Sequence, residues 1–151
     1  MTQPHPEFHL VRVTRPDYMV LAKELRHRIF VEEQEIPQAL DHDGFDLHSM
    51  HVLVFADDEP VATGRWREEP ETWADLSRIA VLKAYRGNGL GAMVVEALLA
   101  WAEEAGMQRA WLEPHAHLEA FYNGFGFERR GEGTEVAGHH LLRMERSLGP
   151  I

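Results

Sequence analysis

The stretch from Leu76 to Trp101 constrains this chain more than any other. Leu76 to Leu82 is apolar and rich enough in branched residues to read as a strand. Lys83-Ala84-Tyr85 leads from it into Arg86-Gly87-Asn88-Gly89-Leu90-Gly91. Leu90, Met93, Val94, Ala97, Leu98 and Trp101 then recur at helical spacing, and Gly106 ends the helix. The glycine segment therefore stands at a helix N-terminus, where backbone N–H groups lack partners and an anion is stabilised. Gly87, Gly89 and Gly91 let the backbone approach such an anion and allow positive φ. Arg86 and Lys83 add positive charge. By themselves the glycines also suit a tight turn. No Gly-Lys-Ser/Thr end follows, and the spacing is wrong for a dinucleotide fingerprint, so neither familiar nucleotide loop fits.

The flanking segments place this unit in a mixed sheet. Phe8 to Val13 alternates like a first strand, and Pro16 opens a helix through Phe30. Ile36 to Leu47, rich in acids and histidines, reads as loop or short helix. His51 to Ala56 and Pro60 to Trp66 form two strands joined at Asp57-Asp58-Glu59 as a hairpin. After the long helix come a short strand at Ala110 to Glu113, a short helix at His117 to Asn123, and closing strands at Phe125 to Arg129 and His139 to Arg146. The order is that of an α/β chain whose strand-helix-strand unit supplies a parallel pair. At 151 residues, with no repeat and no long linker, residues 1–151 are expected to form a single domain.

Composition narrows the chemistry. There is no cysteine, which excludes disulfides, thiolate metal sites and a cysteine nucleophile. A net charge of -10 repels polyphosphate at long range, so nucleic acid is not an expected partner, whereas a cationic amine is attracted. The apolar run from Leu90 to Trp101 is broken by Glu96 and is too short to span a bilayer, so no membrane partner is expected. Met1 to Glu7 carries no export signal, and the cytoplasm is the expected location. Ten histidines include His115-x-His117 and His139-His140, but no metal-binding motif accompanies them and no metal is expected.

A second motif gives the loop its meaning. Arg86-x-x-Gly89-x-Gly91 after Ile79-Ala80-Val81 resembles the pyrophosphate loop of the GNAT acetyltransferase superfamily. His117-Leu118-Glu119-Ala120-Phe121-Tyr122-Asn123-Gly124-Phe125-Gly126-Phe127 resembles its second motif, at the family's order and spacing. Arg28 to Gln34, Asp41 to Asp46 and a strand containing His51 are similar to the opening of the ElaA-like branch. The resemblance implies the GNAT fold of α+β type: a mixed, mostly antiparallel sheet of about six or seven strands with a central parallel pair, and about four helices. It implies acetyl-CoA as donor. Ile79, Ala80 and Val81 would hold pantetheine by strand addition, and Arg86, Gly87, Asn88, Gly89, Leu90, Gly91 and Ala92 would hold the pyrophosphate. Phe121 would lie on the cofactor side and Tyr122 would protonate the departing thiolate. His117 stands where many members have an asparagine that bonds the cofactor; a histidine donates there only in the right tautomer.

The implied reaction is direct attack of a primary amine, on a small molecule or a peptide, upon the acetyl carbonyl. An amine is mostly protonated at neutral pH, so a base is needed. Asp75, at the start of the thioester strand, and the Glu32/Glu33 pair, Glu33 above all, lead the candidates, ahead of Glu113 and His140. Glu32, Gln34 and Trp66 are assigned to the acceptor, and Trp66 and Trp73 either wall its pocket or pack the core. Two other functions remain: an acyl-homoserine-lactone-synthase-like acyltransferase using an acylated carrier, and a non-catalytic CoA-binding module. A monomer and a homodimer are equally compatible with the sequence.

Overall fold

The computed structural model describes residues 6–149. The stretch Met1–His5, on which part of the export reading falls, lies outside the described residues.

Strand β1 (Phe8–Arg12) leads to helix α1 (Pro16–Arg26), whose first turn begins at a proline. The helix does not stop at Phe30 as the spacing predicts. It continues as a π-helix, His27–Glu33, so that Gln34 becomes its terminal cap. Such segments are rare and recur at functional sites. A short helix α2 (Gln38–Asp41) and a single 3₁₀ turn (Asp46–His48) cross to β2 (Met50–Ala56). β3 (Glu59–Glu69) returns antiparallel through a tight turn at Asp57, whose φ of 52° an aspartate tolerates well. β4 (Trp73–Val81), the glycine loop and α3 (Leu90–Glu104) follow, then β5 (Arg109–Leu112), α4 (Glu119–Asn123), β6 (Glu128–Val136) and β7 (His139–Ser147).

All seven strands form one sheet in the order β1-β2-β3-β4-β5-β7-β6. β4 and β5 are its parallel pair, and the other neighbours are antiparallel. The sixth strand lies later than the sequence suggests. Phe125 and Gly126 turn, with Gly126 at φ 86°, Phe127 is buried, and pairing begins at Glu128. Gly131 and Gly133 disguise that strand, and register shifts on either side of Glu132 accommodate them.

Both faces of the sheet are covered. On β3, Arg65 bonds Asp46, which also holds Arg26 of α1. The next residue, Trp66, packs edge-on against Trp101 of α3 at 6.3 Å. Successive residues on a strand face opposite ways, so α1 and α3 lie on opposite faces. α3 buries Leu90, Val94, Val95, Leu98, Leu99 and Ala102. It lies close because Gly64 beneath it has no side chain: a Cβ there would sit 2.6 Å from Val94 Cγ1.

Two irregularities shape the centre of the sheet. First, Thr63 pairs with Ala80 but Arg65 with Ser77, so Gly64 alone faces Arg78 and Ile79. This bulge puts Arg78 at φ 57°, an uncommon conformation for a long side chain. Second, the parallel pairing ends at Asp75 and Trp111. β4 stays with β3 up to Val81, while β5 stays with β7. The two strands part, and a cleft of about 360 Å³ opens between them.

Candidate active site

At the end of β4, Leu82 N–H still bonds Val61 O at 2.9 Å, and a 3₁₀ turn (Lys83–Tyr85) carries the chain off the sheet. Gly87 at φ 89° and Gly89 at φ 75° then reverse it into α3. Open space surrounds both, so backbone conformation, not crowding, demands glycine there. Asn88 donates to Tyr85 O at 2.9 Å and closes the turn. The first helical bond runs from Met93 N–H to Gly89 O at 3.1 Å. The N–H groups from Gly87 to Ala92 find no acceptor among the described residues, and no side chain caps the helix. A row of free donors at the positive end of a long helix suits an anion. Phe121, half-exposed, overhangs it with its ring edge 3.6 Å from where a Cβ on Gly91 would lie.

Arg86 does not reach into this row. Its Nε donates to Val81 O at 3.0 Å, and its two terminal nitrogens meet Glu33 Oε2 at 2.7 Å and Oε1 at 2.9 Å. Glu33, proposed from the sequence as a base, is therefore corrected. Its carboxylate is occupied by Arg86 and lines a separate depression with Arg28, Glu32, Glu59 and Lys83. Glu32 is corrected as an acceptor residue for the same reason: it is exposed in that depression, 3.8 Å from His27. Trp66 is corrected too. It is 1% exposed and faces α3, because strand alternation gives the cleft side to Arg65.

Several of the candidates do meet in the cleft. Asp75 and Ile79 line it from β4, Tyr122 from α4 and Gln34 from the end of the π-helix. Burial pushes the Asp75 carboxyl up to about 6, and Glu69 adds to the rise; Arg67, 3.3 Å away, pulls it part of the way back. Asp75 is thus a carboxylate at neutral pH that takes a proton readily. Tyr122 is 5% exposed, packed edge-on between Phe121 and Phe127, and burial raises its phenol pKa well above the usual value. It stays protonated at neutral pH. Gln34 Oε1 is buried without a partner, while Gln34 O accepts from His139 Nε2 at 3.0 Å. Glu113 also lines the cleft, but Thr134 holds it through N–H at 2.9 Å and Oγ1 at 3.2 Å. His140 sits outside on the β6–β7 hairpin, 2.8 Å from Glu132. His117 is exposed on the turn before α4, with its ring 5.6 Å from that of His115. Trp73 lies under Arg109, not in the cleft.

The sequence reading missed a buried ionic network that forms the cleft's far wall. Asp46 bonds Arg26 at 2.6 Å and Arg65 at 2.8 Å, and Asp41 bonds Arg26 at 3.1 Å and Arg78 at 3.2 Å. Asp43 pairs with Arg65 and, at 3.1 Å, with Arg78. Arg78 further donates to Leu40 O at 2.9 Å, so the bulge of β4 holds the α2 segment over the cleft. Burial raises the Asp43 carboxyl, but Arg65, the Phe45 N–H and Arg78 outweigh it and hold it at about 2. His115 was weighed in the sequence only as half of a chelating pair with His117. It lines the cleft, and burial with His139 and His117 nearby keeps its pKa below the usual value. Among the described residues no three His, Asp or Glu side chains stand as a metal-binding group.

The assembled parts are a row of free N–H groups, a free edge on β4, a buried phenol and a carboxylate that titrates near neutrality. The chain as a whole is similar to known proteins. The profile of the Acetyltransferase (GNAT) family matches residues 15–127. The uncharacterised N-acetyltransferase YjcF of Bacillus subtilis is 32% identical over 103 residues, covering 68% of this chain and 73% of its own. Escherichia coli ElaA superposes with a TM-score of 0.81 at 28% identity, over 93% of this chain and 99% of its own. An acyl-CoA N-acyltransferase of Pseudomonas aeruginosa superposes with a TM-score of 0.80 at 25% identity, over 93% and 99%. The chain belongs to the GNAT acetyltransferase family.

Proposed function

We propose that the protein is an acetyl-CoA-dependent N-acetyltransferase that moves an acetyl group to a primary amine by direct attack. The observation that carries this reading is the run of N–H groups from Gly87 to Ala92 without acceptors, which suits a pyrophosphate. The β4 edge freed by the parting of β5 suits the amides of pantetheine, through Ile79 to Val81. Phe121 flanks the loop. His117, exposed beside α4, is assigned to the same cofactor side on the resemblance alone.

Acetyl-CoA supplies the acetyl group as a thioester. Asp75 takes the proton that an ammonium acceptor must lose before its nitrogen can bond the acetyl carbon. Tyr122 gives its proton to the sulfur as the carbon–sulfur bond breaks, and the phenolate is reprotonated by the proton that the new amide nitrogen loses. Gln34, at the end of the π-helix, lines the acceptor side of the cleft. Burial of Tyr122 excludes water from this end of the cleft and strengthens each of these interactions.

The reading is tested by calorimetric titration with CoA and by thiol release from acetyl-CoA across a panel of small and peptidic amines. CoA should bind, and at least one amine should release thiol. Tyr122→Phe should lower turnover by about 10²-fold or more while leaving CoA affinity within about twofold. A protein that binds no CoA, or that binds it and acetylates no amine, sinks the proposal.

A further inference from the structure

Arg86 is the obvious cation for a pyrophosphate, yet the fold spends it elsewhere. All three guanidinium nitrogens are engaged, one on Val81 O and two on Glu33. A bidentate arginine–carboxylate pair is planar and directional. Held in this way, Arg86 adds no net charge to the row of free N–H groups. Glu33 stands at the last π-helical position, and the next residue is Gln34, which lines the cleft. His139, from β7, holds Gln34 O at 3.0 Å. Three contacts in series therefore link the phosphate loop to the wall of the cleft: Arg86 with Glu33, Glu33 with its neighbour Gln34, and Gln34 with His139.

We propose that Arg86 is a clip and not a phosphate ligand, and that Glu33 is a positioning residue. Together they form a neutral pair that holds the π-helical segment, and with it Gln34, against the cofactor loop. The inference rests on the reading of that loop as a CoA site. The carboxylate of Glu33 has no part in proton transfer. Its place is to neutralise Arg86 and to anchor the segment that presents Gln34. The π-helix suits such a task, since its looser bonding lets the end of α1 be set by what it touches.

The test is a charge-swap cycle in the full chain, read by CoA affinity and by steady-state kinetics. Arg86→Ala leaves the Glu33 carboxylate uncompensated beside the loop. CoA affinity should fall about tenfold at low ionic strength and less in high salt. Arg86→Ala combined with Glu33→Ala removes both charges, and CoA affinity should return to within about threefold of the wild type. Glu33→Gln should bind CoA at least as tightly as the wild type and should raise KM for the amine severalfold, with kcat the less affected constant. The pair is part-solvated, at 42% and 34% side-chain exposure, so these variants are expected to fold, and their melting temperatures serve as controls. A double variant as weak for CoA as Arg86→Ala would show that Arg86 touches phosphate, and would overturn the clip. A Glu33→Gln variant with kcat down by about 10²-fold and KM unchanged would make Glu33 the base, and would overturn it equally. A wild type that binds no CoA would instead remove the cofactor reading on which the clip stands.

Discussion

At Asp75 the fold works against its own stability. Burial and Glu69 raise the carboxyl from 3.8 to about 6, so the folded state holds that proton more tightly than the unfolded chain does. Stability from this group is complete below about 3.8 and is lost as pH rises through 6. Asp75→Asn should therefore stabilise the protein at pH 7, by up to about 3 kcal/mol, and the gain should vanish by pH 4. Arg67 keeps Glu69 as a partner at 3.1 Å, so the change leaves no orphaned cation. Activity should move the other way. In the wild type kcat/KM should fall as pH drops through 6, and in Asp75→Asn both the activity and that limb should be lost. Melting temperatures and pH–rate profiles of the two proteins check this. A variant less stable at pH 7, or one that keeps the limb, would remove Asp75 from the mechanism. The sequence singled out Asp75 by its place at the start of a strand. It gave Glu33 equal standing, because nothing local reveals that Arg86 lies against a residue 53 positions earlier.

Among the elements, α3 matters most, since it carries the proposed cofactor loop at its N-terminus. Its height above the sheet depends on Gly64. A Cβ on that residue would lie 2.6 Å from Val94 Cγ1, 3.0 Å from Leu98 Cδ1 and 3.3 Å from Ile79 Cγ1. Gly64→Ala should cost about 1–3 kcal/mol through overpacking and should also weaken CoA binding, because α3 must lift. Val94→Ala in the same chain opens the space and should recover most of both losses. Thermal melts and CoA titrations of the single and double variants check the coupling; additive losses would show that the two sites do not meet. The elements around this contact were readable in proportion to how local their signals are. α3 and the β2–β3 hairpin declare themselves through unbroken apolar periodicity and a turn of acids. β6 does not, because its glycines and charges suit an exposed edge strand and carry no apolar alternation. The π-helical extension of α1 has no sequence signature of its own, and its outcome was to move Glu32 and Glu33 out of the cleft and Gln34 into it.

On the scale of the whole molecule, two kinds of order hold the cleft open. One is the parting of β4 from β5, which follows from the strand-helix-strand connection and was legible as a parallel pair. The other is the network of Arg26, Arg65 and Arg78 with Asp41, Asp43 and Asp46, which joins α1, the α2 segment, β3 and the β4 bulge. That network was not legible, for its partners are 15 to 37 residues apart and each acid alone reads as solvated surface. Its pH signature is opposite in sign to that of Asp75. Asp43 is held at about 2 against 3.8, so its stabilisation is present above 3.8 and is lost as pH falls toward 2. Asp43→Asn should destabilise the protein at pH 7 by on the order of 1 kcal/mol, a figure reduced because Asp43 is partly solvated. The difference from wild type should disappear at about pH 2. Asp43 also helps Arg78 hold the α2 segment over the cleft, so the same variant should raise KM for the amine while CoA affinity, carried chiefly by the loop from Gly87 to Ala92, stays unchanged. Parallel losses in both affinities would mean that the network supports the sheet as a whole and not the acceptor wall.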